Sequence, residues 1–405
     1  MLGWQTLARA FGLISSVWAA RCLGPQKLGI SGMVISTVWQ LALLVNLNQD
    51  TALIRSYKAC KTKRERCALI SSVVSFRLST ALGIVVLGCG LLPWIHLSSR
   101  WRLAVIAAVP LLLLNTNGSA WILQARETAP IYRRSLAIQA GLMLLLYISF
   151  MRPGASAGLD VVINASALLF ASVYGWRHAL EGCTLHLSVA GLCSASRRVC
   201  AEKWMVLTGF AIFIYTNLGT PLVGYLAGVE QAGQFRSAWN LSNVYAQATQ
   251  IMTILLYPRF IAWHQENPEI LRIRQNKIAL ALAAVLIPFV ALMFAMAPTI
   301  FRMFYGPAFG AAAYPWAILM TSKSILAISG IYSAGLWARS QDSGIASAMM
   351  LTAAISLVLN LIAIPALGIT GAALVTVLSE SFILVAAIIL TRRVCKPPVY
   401  VDLNE

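Results

Sequence analysis

Acidic residues are scarce in this sequence: 13 Asp and Glu stand against 31 Lys and Arg in 405 residues. Charge of either sign is scarce too, at 11%, where a soluble chain carries about a quarter. That deficit excludes an ordinary soluble domain. No stretch between apolar runs is long enough for a nucleic-acid-binding module, so the formal charge of +18 needs another account. The four histidines, His96, His178, His186 and His264, form no ligand spacing, and the eight cysteines contain no CxxC pair. Cys60, Cys67, Cys183, Cys193, Cys200 and Cys395 fall on the side assigned below to the cytoplasm, where thiols stay reduced. The expectation is therefore no disulfide framework, no metal site and no cofactor. A Walker motif, a GxSxG elbow and a paired acidic loop motif are all missing, which argues against ATP-driven transport within the chain and against an enzyme.

What the chain does have is apolar residues, at 59%. They fall into runs of about 20, the length a helix needs to cross roughly 30 Å of hydrocarbon. The predicted fold class is all-α, a polytopic membrane protein of twelve transmembrane helices. The spans are expected at 3–20, 29–48, 68–91, 103–122, 135–151, 160–177, 204–225, 238–257, 278–297, 312–336, 345–366 and 371–390. The first run has small residues before Arg21 and Cys22 but no basic region ahead of it, so it reads as a span and not a signal peptide. The native start could lie upstream of Met1.

Loop charge gives orientation. With the N-terminus inside, 21 Lys and Arg collect on one face and seven, including Arg21, Lys27 and Arg236, on the other. Positive charge accumulates on cytoplasmic loops, so both termini are expected in the cytoplasm of a multi-pass inner (plasma) membrane protein. The expected organisation is an N-terminal six-helix lobe at 1–178, a cytoplasmic linker at 179–203, a C-terminal six-helix lobe at 204–391 and a tail at 392–405. Leu185, Leu187, Val189 and Leu192 let part of the linker lie along the membrane surface, or it is a plain connection.

The two lobes echo each other. Gly24 and Gly29, flanking Pro-Gln-Lys-Leu, answer to Gly228 and Gly233 at an offset of 204, and Arg55 answers to Arg259. Leu123-Gln-Ala-Arg126 returns as Leu336-Trp-Ala-Arg339 at an offset of 213. Even numbers of spans make both lobes face the same way, so a pseudo-two-fold along the membrane normal is expected.

Candidate site residues are the polar groups inside spans. Arg9, Arg77 and Lys323 are cations there, and a charge at the bilayer centre costs roughly 2.5–3.5 kcal/mol unless it faces protein or a water-filled cavity. They are either ligands for an anionic substrate or partners of a nearby carbonyl or carboxylate. Glu380 reads as the only carboxylate deep in a span, suited to proton coupling or to pairing with Lys323. Asp50 closes span two, with a helix-end or loop role. Gln40, Asn46 and Asn48 on span two, Tyr215 and Asn217 on span seven, and Asn240, Asn243, Gln247 and Gln250 on span eight form a second group. The last four are spaced three, four and three apart, so they share one helical face. Such a stripe either lines a hydrophilic path for a sugar-bearing substrate or makes interhelical hydrogen bonds at about 0.6 kcal/mol each.

Four stretches carry a family resemblance. Arg21-Cys-Leu-Gly-Pro-Gln-Lys-Leu-Gly29 resembles the "R-x-LG-x-x-x-x-G" turn of polysaccharide biosynthesis proteins, the Wzx-type oligosaccharide flippases of the MATE-like (MOP) superfamily. Tyr225 to Phe235 resembles that family's turn into span eight, with Phe235 where Tyr is usual. Phe304 to Phe309 resembles the outer turn before span ten, and Gly371-Ala-Ala into Ser379-Glu380-Ser381 the start of the last helix. The resemblance covers essentially the whole chain. It implies two six-helix bundles around a cavity lined by spans one, two, seven and eight. It also implies alternating-access transfer of an undecaprenyl-pyrophosphate-linked oligosaccharide to the outer leaflet, for O-antigen, capsule or exopolysaccharide synthesis. Polysaccharide polymerase and glycosyltransferase partners would follow. Arginine suits a pyrophosphate because its planar fork makes paired contacts. The competing readings are a MATE-like cation-coupled exporter, whose first helix tends to carry acidic residues absent here, and a membrane polymerase or ligase, which usually needs a larger outer loop.

Overall fold

The computed structural model describes residues 3–47, 49–91, 99–116, 118–126, 128–186, 191, 193, 195–196, 218–339 and 342–393. Among these the chain is helical, without strands. Its helices are α1 (Gly3–Asn46), α2 (Asp50–Ala59), α3 (Lys63–Leu91), α4 (Ser99–Thr116), α5 (Ala120–Ala125), α6 (Ala129–Phe150) and α7 (Ala157–Ala179). They continue with α8 (Gly219–Leu226), α9 (Val229–Glu266), α10 (Pro268–Tyr305), a 3-10 turn at Pro307–Ala312, α11 (Ala313–Ala338) and α12 (Asp342–Arg393).

Eight helical stretches among the described residues are long and apolar enough to cross a membrane. Two of these, in α1 and α12, each hold two predicted spans in one run, broken at a glycine. Predicted spans one to six and nine to twelve all fall in the eight stretches. Span eight lies in α9, which is long but interrupted by Asn and Gln. Most of span seven, with Tyr215 and Asn217, lies outside the described residues, as do Asn48 and most of the tail. The protein is a multi-pass membrane protein. Its large apolar side chains also point outward: Leu280 is 73% exposed and Ile287 69%. Such a surface suits lipid and would aggregate in water.

The chain packs as two compact units, residues 1–237 with 302–310, and residues 238–301 with 311–405. In the first unit Ile30, Val34, Val38 and Ala42 step by four along α1 and bury against Ala104, Leu111 and Val161 of α4 and α7. A second cluster joins Leu53 and Tyr57 of α2, Ile70 and Val73 of α3, and Trp121 of α5. The second unit has its own core, in which Phe260, Leu271, Ala279 and Ile331 from α9, α10 and α11 meet.

Turn chemistry sets the helix boundaries. Gly24 takes φ 71 and ψ 171, a region open essentially to glycine, and Pro25 restarts the helix at once. The second part of α1 therefore begins four residues before the expected start of span two. Gly228 answers it with φ 99, directly before α9. Thr62 and Glu65 form a reciprocal capping box that starts α3.

The second echo is a matched pair of arginine clasps. Arg126 caps the end of α5 and its Nη1 donates to the carbonyl of His178, 3.1 Å away, at the end of α7. Arg339 caps the end of α11 and its Nη1 donates to the carbonyl of Thr391, 3.3 Å away, at the end of α12. Thr391 follows His178 by the same 213 residues that separate the two arginines.

One expectation is overturned: Cys67 at the start of α3 and Cys183 beyond α7 form a disulfide, with Cα atoms 5.4 Å apart. A spacing of 116 residues without a CxxC signature gives no sequence cue for such a bond. The fold brings the two together because the segment after α7 returns to the start of α3.

Candidate functional site

In the second unit, α11 carries Lys323 inward, where 5% of it is exposed. Its Nζ lies 3.9 Å from the ring centroid of Trp239 on α9, a close cation–π contact. Lys323 also interacts electrostatically with Glu380 of α12, itself 2% exposed. Glu380 Oε2 has no hydrogen-bond partner among the described residues. Both side chains are buried in the same unit, without an ion pair within 4.0 Å between them among the described residues. Next to Lys323, Ser324 exchanges a 2.8 Å hydrogen bond with Tyr245, whose ring stacks on Phe289. Asn240 and Asn243 are half-buried along α9, and Gln247 is exposed. The side chain of Gln250 lies outside the description.

In the first unit Arg77 is buried and binds Asp50 Oδ1 at 2.7 Å. Asp50 opens α2 instead of closing span two, and its side chain is 56% exposed. The pair uses one of the five N–H donors of Arg77. Gln40 and Asn46 are half-buried on the second part of α1, and each keeps one buried polar atom, Nε2 and Oδ1, without a hydrogen-bond partner among the described residues. Arg9 is half-buried on the first part.

Sequence reasoning missed a buried network in this unit. Asp160, at 0% exposure, sits in the first turn of α7. Its carboxylate accepts from the Tyr147 hydroxyl of α6, from Asn164 Nδ2 at 3.2 Å and from Arg236 Nη1 at 3.1 Å. Arg236 Nη1 also donates to Ser31 Oγ at 2.7 Å and to the Leu28 carbonyl at 3.1 Å. Glu380 is therefore not the one buried acid, and Arg236 is not an outer-face charge of topology alone. A carboxylate at the edge of span six and an arginine two residues before span eight look like loop charges when each is read separately. The available signal was Asp160 and Asn164, one turn apart on the same face.

Backbones meet beside this network. A methyl group built on Gly29 would lie 1.8 Å from the Val229 carbonyl oxygen, and one on Gly233 would lie 1.8 Å from that of Pro25. The two echoing turns thus touch each other through their glycines. Arg21 donates to the carbonyls of Met303 and Phe304, and Gln234 Nε2 to that of Ala308 at 2.8 Å. Three of the four stretches that carry the family resemblance are one contact in space.

The fold is that of the MOP-superfamily transporters. An inward-facing multidrug resistance MATE transporter of that superfamily aligns over 96% of this chain and 94% of its own, with a TM-score of 0.74 and 15% identity. The lipid II flippase MurJ, in an inward closed conformation, aligns over 97% and 88%, with a TM-score of 0.75 and 14% identity. Residues 151–314 match the family model described as polysaccharide biosynthesis protein. By sequence the chain is 24% identical over 261 residues to a Haloferax volcanii protein named as the low-salt glycan biosynthesis flippase Agl15. That match takes in 64% of this chain and 53% of the relative, about half its length. It is also 18% identical over 323 residues to an Escherichia coli K12 protein named as an O-antigen transporter, covering 79% and 77%. The resemblance drawn from the motifs is borne out.

Proposed function

We propose that the protein is a flippase that carries an undecaprenyl-pyrophosphate-linked oligosaccharide from the cytoplasmic to the outer leaflet of the inner membrane by alternating access. The observation that carries this reading is that both curated relatives matched by sequence are named for glycan export. The fold alone does not choose, because a MATE exporter and a lipid II flippase share it. The buried cation Lys323 favours an anionic cargo over a cationic one.

In this proposal the transporting parts are the lobes 1–178 and 204–391, joined by the linker 179–203, with both termini and the tail 392–405 in the cytoplasm. Lys323, Arg77 and Arg9 attract the pyrophosphate, and Gln40, Asn46, Asn217, Asn240, Asn243 and Gln247 meet sugar hydroxyls. Glu380, beside Lys323, takes up and releases the coupling proton. The chain acts as a transporter and not as an enzyme. A polysaccharide polymerase and glycosyltransferases act before and after it on the same lipid-linked glycan.

The test is a leaflet-accessibility assay in proteoliposomes loaded with a lipid-pyrophosphate-linked oligosaccharide. Protein-dependent arrival in the opposite leaflet is expected, with loss in Lys323→Ala. If the pure protein moves no lipid-linked glycan and instead exports a fluorescent cation against a proton gradient, the MATE-like reading replaces this one.

A further inference from the structure

The first unit also holds a concave site away from the candidate transport residues. A cavity of about 770 Å³ opens beside the first three turns of α3, lined by Lys63, Arg64, Ser71 and Ser72 and, across from them, Thr184 and His186. Lys63, Arg64, Cys67 and Ser71 recur at helical spacing, so they turn toward one side of α3. The opposite wall is pinned to that helix twice. The Cys67–Cys183 disulfide joins them covalently, and the backbone N–H of His186 donates to Ser71 Oγ at 3.1 Å. Lys63 closes over Gly182, where even a methyl group would meet its Nζ at 2.6 Å.

The chemistry of this lining is one-sided. Among the described residues it presents two cations, hydroxyls and an imidazole, and no carboxylate. Among the described residues neither Lys63 nor Arg64 forms an ion pair. Glu65, adjacent in sequence, is turned back onto the backbone N–H groups of Lys61 and Thr62. Ser71 accepts from His186 and so keeps its own hydroxyl proton to donate. The neighbouring cavity differs in kind. There Arg126 is held by the Tyr57 hydroxyl and the His178 carbonyl, Arg66 by the Cys60 carbonyl and the Tyr57 ring, and Glu181 supplies a carboxylate. Its two arginines are already committed, and Lys63 lies on the border of both cavities.

Lys63 and Arg64 also sit where an apolar membrane helix begins, in a run with Lys58, Lys61 and Arg66. Basic pockets between helices at that level recognise phosphate headgroups. We propose that the cavity under Lys63 and Arg64 binds the phosphate headgroup of an anionic membrane lipid from the leaflet on that side. The guanidinium and ammonium hold the phosphate oxygens, and Ser71 with Thr184 donates to those remaining. The disulfide keeps both walls in place. This site goes beyond the transport reading, and headgroup binding is measured without any transport.

The experiment is native mass spectrometry of the detergent-purified full chain, titrated separately with phosphatidylglycerol, a polyprenyl pyrophosphate, phosphatidylcholine and inorganic pyrophosphate. Phosphatidylglycerol or the polyprenyl pyrophosphate is expected to bind with at least tenfold preference over phosphatidylcholine. Lys63→Gln/Arg64→Gln, both exposed and tolerated by the fold, is expected to weaken that binding about tenfold. Ser71→Ala is expected to weaken it less. Arg392→Gln, an exposed cation elsewhere, is expected to leave it unchanged. Equal affinity in the double variant, equal loss in Arg392→Gln, or no preference over phosphatidylcholine overturns the proposal. Displacement of the lipid by an equal concentration of inorganic pyrophosphate overturns the lipid assignment in favour of a soluble phosphate. Preference between the two anionic lipids separates a structural lipid from the transport cargo, and either supports the headgroup site.

Discussion

Single residues in this protein divide by what holds their charge. Lys323 lies against an indole ring and near a carboxylate whose Oε2 lacks a hydrogen-bond donor among the described residues, an arrangement that an incoming anion or a proton can change. Lys323→Ala is expected to abolish transport in the leaflet assay while membrane insertion, read by fractionation, stays normal. Glu380→Gln is expected to flatten the dependence of transport rate on pH, and an unchanged profile would remove Glu380 from coupling. Asp160 is different, because it is fully buried and already accepts from buried Tyr147 and from half-buried Asn164 and Arg236. Removing one member of such a pair strands the other, at a cost of about 3–5 kcal/mol. Asp160→Ala should therefore lower the thermal unfolding midpoint in detergent sharply. Lys323 and Glu380 were legible because a charge amid a long apolar run stands out. Asp160 and Arg236 were not, because each lies at the edge of a span where a charge is ordinary.

At the scale of elements, the glycine turns organise the helices around them. Gly24 and Gly228 both hold positive φ directly before a helix, and the helices that follow cross at Gly29 and Gly233. Gly24→Ala is expected to destabilise by about 1–3 kcal/mol through backbone strain alone. Gly29→Ala acts through a collision with the Val229 carbonyl and needs a backbone shift. Each effect is checked by the unfolding midpoint. If the two echoing turns serve one contact, Gly29→Ala and Gly233→Ala should be strongly non-additive, since either methyl already forces the helices apart. The repeated glycines were legible in the sequence as an offset. Their mutual contact was not, because an offset says that two segments are alike and says nothing of whether they touch.

The whole molecule was read most fully at the level of class. Apolar runs of membrane length, scarce charge and the asymmetric loop cations led to a polytopic helical membrane protein, and the described residues have that form. The disulfide was hidden, since pairing depends on how the segment after α7 returns to α3. Denatured without reductant, the protein is expected to leave two of its eight cysteines unlabelled by maleimide, and Cys67→Ser should abolish that protection. Full labelling of all eight in the unreduced protein would show that the bond does not form in the cell. The arginine clasps have a consequence for synthesis. Arg126 finds its carbonyl at His178, so the first clasp can close once the chain has left the ribosome as far as α7. The second must wait for Thr391, 213 residues later. A stalled or truncated chain would then hold a finished first clasp and an open second one, and quality-control proteases would find their first cuts on the later half.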